Sequence, residues 1–181
     1  MASQGPNGCG TGAASGAGTA WANPTRITAN DGSFADASLA PGGNSNQLQA
    51  TNFSFSIPAG STINGVLVES FNKDASPSGN NEILIQLLKG GAATGTAKSA
   101  TGASAYPTTA AFVSFGGSAD LWGATLTVSD VNGSGFGAQQ QALEISGLGG
   151  IDPSVDFVRI TITYTPPAGL PTVQVTSIIG V

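Results

Sequence analysis

The stretch Ser129-Asp130-Val131-Asn132-Gly133-Ser134-Gly135-Phe136-Gly137 sets oxygen-bearing side chains at alternate positions, as the start of a calcium loop does. An EF-hand loop also needs glycine at its sixth position and a bidentate glutamate at its twelfth. Counted from Asp130, the sixth residue is Gly135, but the twelfth is Gln141, which has no carboxylate. The flanking pattern is that of strands, where an EF-hand has helices. Asp130 and Asn132 are equally suited to accept backbone hydrogen bonds in a turn whose glycines take positive φ. The stretch is therefore read as a turn. A calcium site at Asp130, Asn132 and Ser134 is the alternative, if a remote acid such as Asp120 joins.

Other residues that could do chemistry are few. Trp21 and Trp122 are the candidates for stacking on a ligand such as a sugar ring, although a tryptophan beside a strand more often fills core or an interface. Asp120, just ahead of Leu121-Trp122, is read as a cap for backbone N–H groups rather than as an acid or base. The pairs Asp31/Asp36 and Asp152/Asp156 lie in turn-like surroundings and do not stand out as the facing acids of a glycosidase. Cys9 is the single cysteine, so no disulfide forms within the chain. With no cation nearby in sequence to lower its pKa, it is read as an inert small residue. Histidine is absent, which removes imidazole bases, Ser-His-Asp and Cys-His nucleophiles, and nearly every transition-metal site. No catalytic residue and no cofactor is expected.

The elements that would position such residues are strands. The chain of 181 residues suffices for one domain with a real core. Only 8% of it is charged, against about 25% in an ordinary soluble domain. So little charge protects weakly against association and favours life in an assembly. The net charge of −5 and five scattered cations (Arg26, Lys73, Lys89, Lys98, Arg159) argue against nucleic acid. No apolar run approaches the roughly 20 residues of a membrane span. The start of the chain has neither the basic nor the apolar stretch of a secretory signal, so synthesis in a cytoplasm is expected.

Residues 1–20 are rich in Gly, Ala, Ser and Thr without periodicity, and predict an extended arm. From Trp21 the pattern turns to period two. "NFSFSIPAG" and "STINGVLVESF" predict a hairpin, and "EILIQLLKGG" a buried strand. "TTAAFVSFGG", "DLWGATLTV" and "FGAQQQALEIS" predict three more strands. In "VDFVRITITYTPP", Val158, Ile160, Ile162 and Tyr164 face one way, with Arg159, Thr161, Thr163 and Thr165 facing the other. "PTVQVTSIIGV" alternates again near the end. About eight to ten strands with frequent turn signals predict an all-β fold, an antiparallel β-sandwich of jelly-roll type with extended N- and C-terminal arms. The predicted division is an arm at 1–20, a sandwich at 21–165 and a C-terminal extension at 166–181.

The order of short motifs resembles a β-sandwich module of tailed-bacteriophage virion proteins. The motifs are a Trp-x-Asn-Pro start at Trp21–Pro24, Asp31-Gly32, the run from Phe53 to Pro58, and "TINGVLVE" at 62–69. "DLWG" at 120–123, "FG" at 136–137 and "VDFVRITITY" at 155–164 follow. The resemblance implies a non-enzymatic structural or host-contact role in the virion. The expectation is a capsid decoration protein bound to the major capsid protein or another virion protein as a homo-oligomer, a trimer, held partly by its arms. The sixteen residues after Thr165 could reach about 50 Å. The alternative is a receptor- or carbohydrate-binding module of a tail or fibre. Neither reading involves nucleic acid or a membrane.

Overall fold

The computed structural model describes residues 1–75 and 80–168. In chain order the strands are β1 (Ala2–Gly8), β2 (Thr11–Ser15), β3 (Ala35–Asp36), β4 (Gln47–Thr51), β5 (Thr62–Asp74), β6 (Asn81–Lys89), β7 (Ala92–Thr101) and β8 (Ala111–Gly116). A short helix α1 (Val128–Asn132) precedes β9 (Gly137–Glu144) and β10 (Pro153–Thr165). All strand pairs are antiparallel. One sheet runs β1-β10-β5-β8, with β3 also on β10; the other runs β2-β4-β9-β6-β7. From β3 onward the orders are β3-β10-β5-β8 and β4-β9-β6-β7. That is the winding of a jelly roll, so the sandwich expected from the sequence is present.

Period two builds the core. Val158, Ile160 and Ile162 of β10 and Ile63, Val66 and Val68 of β5 are buried, facing Ile83, Ile85 and Leu87 of β6. β-Branched side chains fit such a pleated, half-buried surface. β10 and β5 form the longest pairing, from Pro153↔Asp74 to Thr165↔Thr62, with register shifts between Val155 and Phe157 and between Thr163 and Tyr164. The extra residue at the first shift, Asp156, turns inward and accepts from the backbone N–H groups of Asp31 and Gly32 at 3.4 and 3.1 Å. A bulge re-aims the strand in this way, and Phe157 is left on the outer face.

Several expectations are corrected. Residues 1–20, expected as an extended arm outside the sandwich, supply a strand to each sheet: β1 pairs with β10 and β2 with β4. Their small side chains let the backbone close against its neighbours; a Cβ at Gly12 would run into the Pro24 carbonyl and Ile27. Those pairings cover edges of β10 and β4 that would otherwise present bare N–H and C=O groups.

The expected hairpin at 52–71 does not form. Phe53, Phe55 and Ile57 are buried and alternate with exposed serines, as predicted, but no ladder accompanies them. Asn52 and Ser54 have φ of 61° and 54°, which breaks extended pairing, and the segment crosses from β4 to β5 between the sheets. "DLWGATLTV" is likewise a loop rather than a strand, with Trp122 at φ 59°. Of the predicted C-terminal extension, Pro166–Ala168 are described; the strand expected in "PTVQVTSIIGV" lies outside the described residues.

Candidate binding face

The outer face of the β1-β10-β5-β8 sheet carries aromatic rings in register. Phe157 on β10 pairs with Phe71 on β5, and Phe71 with Phe112 on β8. All three are half-buried. The Phe71 and Phe112 rings lie 4.9 Å apart at 56°, a tilted contact worth about 0.5–1.5 kcal/mol beyond its buried area. One step along, Arg159 pairs with Glu69. Its Nε and Nη2 donate to the two Glu69 carboxylate oxygens at 2.9 and 3.0 Å, while its guanidinium sits 3.7 Å from the Phe112 ring centre. Bidentate geometry and a ring beneath fix the side chain more firmly than either contact alone. At the edge, Lys73 Nζ lies 4.2 Å over the Phe34 ring. Phe157 rests against Gly8 of β1, where any Cβ would collide with the ring. The result is a patch of phenyl rings whose charged members are bonded or stacked within the chain.

The opposite sheet presents amides instead. Gln47, Gln86, Gln139 and Gln141, with Leu84 and Ala97, line a shallow depression on its outer face. Several amide nitrogens are spoken for: Gln86 donates to the Gly95 carbonyl at 2.7 Å, Gln141 to that of Ser45 at 2.6 Å, and Gln49 to Gln139 at 3.3 Å. In the last of these the Gln139 side-chain oxygen is the acceptor.

The residues singled out in the sequence go elsewhere. Trp21 is buried, its indole donating to the Asn46 carbonyl at 3.1 Å. Trp122 is 1% exposed and donates to the Val66 carbonyl at 2.9 Å. Both rings belong to the core, so neither offers a stacking surface, which corrects that candidacy. Asp120 accepts from the Trp122 N–H at 2.7 Å and pairs with Lys98 at 2.7 Å. These bonds, that of Lys98 foremost, hold its carboxyl below the usual range. It is a cap, as read from sequence.

Asp130, Asn132 and Ser134 are not brought together around a common point. Asp130 closes a capping box at the start of α1: it accepts from the Thr127 N–H and hydroxyl, while its own N–H donates to Thr127. Thr127, with Lys89 at 3.1 Å, keeps its carboxyl ionised well below the usual range. The Asn132 amide bonds both the N–H and the carbonyl of Ile57 at 2.9 Å. The Ser134 side chain is exposed, and its carbonyl accepts from Asn52 N–H. What reads as a turn is a helical turn that pins the crossing segment. Among the described residues no group of three or more His, Cys, Asp or Glu side chains is placed to hold a metal.

The outer phenylalanines are hard to find in the sequence: Phe112 sits between Ala111 and Val113, while Phe71 stands among the polar residues Ser70 and Asn72. The usable signal is Phe157 sharing parity with Arg159 and Thr161. No family model matches the chain, and searches of curated proteins and solved structures find no match. Those comparisons give no link to the phage modules that its motifs resemble.

Proposed function

We propose that this chain is a non-enzymatic structural protein that docks on another protein through the outer face of its β1-β10-β5-β8 sheet. In the setting its motifs imply, it is a capsid decoration protein of a bacteriophage, located in the virion and bound to the major capsid protein as a homo-oligomer, a trimer. The row Phe157-Phe71-Phe112 with Arg159 clamped on it carries the reading. Aromatic residues and arginine are enriched at protein interfaces, and a pre-fixed guanidinium loses little entropy on contact. A sugar would need a bare ring face. Here Phe112 is covered by Arg159 and Phe34 by Lys73, which favours a protein partner.

The test is particle binding by Phe71→Ser and Phe112→Ser. Loss of a central aromatic anchor costs about 2 kcal/mol or more, a roughly 30-fold weaker attachment. Folded variants that decorate particles at wild-type occupancy would sink the reading. A second reading, a carbohydrate- or receptor-binding module, draws on the amide-lined depression around Gln86, whose amide nitrogen is bonded to the Gly95 carbonyl and whose oxygen suits a hydroxyl donor. It predicts glycan binding that Gln86→Ala weakens and Phe71→Ser does not.

A further inference from the structure

The interior of the sandwich is polar at one end. Along the inward face of β5, Val68 gives way to Ser70, Asn72 and Asp74, all fully buried. Asn81, at the start of β6 and 1% exposed, donates its amide to Asp74 at 2.9 Å. Tyr106, 1% exposed, lies close enough for the Asp74 charge to raise its pKa further, beyond what burial alone does. On β9 of the facing sheet, Gln140 is 2% exposed and stands on the core side between Ala138 and Ala142. Among the described residues, no protein group bonds Ser70 Oγ, either polar atom of the Asn72 amide, Asn81 Oδ1, the Tyr106 hydroxyl or either polar atom of the Gln140 amide.

These are seven buried polar atoms on three strands and one loop. Left bare, they would together cost about as much as the whole net stability of a domain. Such atoms are met in native interiors by ordered water, which takes two to four polar partners at a site. Donors and acceptors are both present: amide nitrogens on Asn72 and Gln140, carbonyl oxygens on Asn72, Asn81 and Gln140, and two hydroxyls. Water supplies both roles, whereas a simple anion or cation supplies one. Ala105, Ala138 and Ala142 are small residues of the same buried core.

We propose that this end of the sandwich is a binding site for internal water, held by Ser70, Asn72, Asn81, Tyr106 and Gln140. The bound molecules bridge β5 to β6 and β9 and are structural parts of the fold.

Oxygen-17 magnetic relaxation dispersion of the full chain tests this. Wild type is expected to show water with residence times longer than molecular tumbling. The amplitude falls by half or more in Asn72→Leu or Gln140→Met, each of which removes bonding capacity at similar volume. No dispersion in the wild type overturns the proposal, as does an unchanged amplitude in both folded variants. Should a variant fail to fold, water-to-amide cross-relaxation at Ser70–Asp74 of the wild type decides instead: cross-peaks to long-lived water support the site, and their absence overturns it. A stoichiometric small-molecule adduct in native mass spectrometry would also overturn it, because a polar metabolite would then satisfy these atoms.

Discussion

Glu144 accepts hydrogen bonds from the Ser146 hydroxyl and from the backbone N–H groups of Gly42, Ser146 and Gly147. These donors, the Ser146 hydroxyl foremost, push its pKa from the ordinary 4.5 down to about 2. An acid whose pKa is depressed by folding stabilises the native state above its unfolded value and loses that contribution as pH falls through the folded one. The urea midpoint is thus expected to decline between pH 4.5 and 2, and Glu144→Gln to decline less over that window. Equal slopes in the two proteins would show that Glu144 plays no part in the acid response. Cys9 shows the opposite case. Burial pushes its thiol up to about 12, and Sγ lies 3.2 Å from the Ile27 carbonyl. Native protein at pH 8 is expected to resist iodoacetamide, with alkylation appearing in urea; fast native labelling would contradict the burial. The inertness of Cys9 is legible from the missing cations nearby. Its position in the core is not, because the surrounding glycines suggest an arm.

At the scale of elements, alternation is readable where β-branched residues supply it, as in β10; β6 reads only as an apolar buried strand, and its alternate burial emerges in the fold. Alternation fails where the strand is made of small residues. "ASQGPNG" and "TGAAS" have almost no side chains to alternate, and they become strands because two sheet edges need partners. β7, "AATGTAKSAT", is hidden in the sequence for the same reason. In Phe53–Ile57 the alternation predicts the burial correctly but not the pairing, since burial on one side does not require a ladder. Deleting residues 1–18 is therefore expected to destabilise the whole domain rather than release an idle arm. Ten paired positions are lost, and at about 1 kcal/mol net per hydrogen bond the cost is roughly 5 kcal/mol or more. Chemical denaturation of the truncated chain checks this, and an unchanged midpoint would restore the arm. For α1, Thr127→Ala should cost about 1 kcal/mol through the lost cap. The thermal midpoint should ignore both calcium and EDTA; a calcium-dependent rise would revive the metal reading of Asp130.

For the whole molecule, the two outer faces differ in kind: rings with internally paired charges on one, amides on the other. Docking through the aromatic face should respond weakly to salt, because Arg159 is already bonded to Glu69 and screening acts on charges left open to a partner. Particle binding measured from about 50 to 500 mM salt should change by less than about threefold. A steep decline would point to contacts through the remaining surface charges. The jelly-roll winding is within reach of strand count and turn spacing. The aromatic face is not, because it arises only when β10, β5 and β8 are brought side by side. That same arrangement governs how the protein bears mechanical load. Ala2 pairs with Tyr164, and β1 runs back along β10 from there. Force applied to these two ends would peel β1 away one bond pair at a time, the weakest way to load a sheet. Traction through the face would instead be shared by three strands at once.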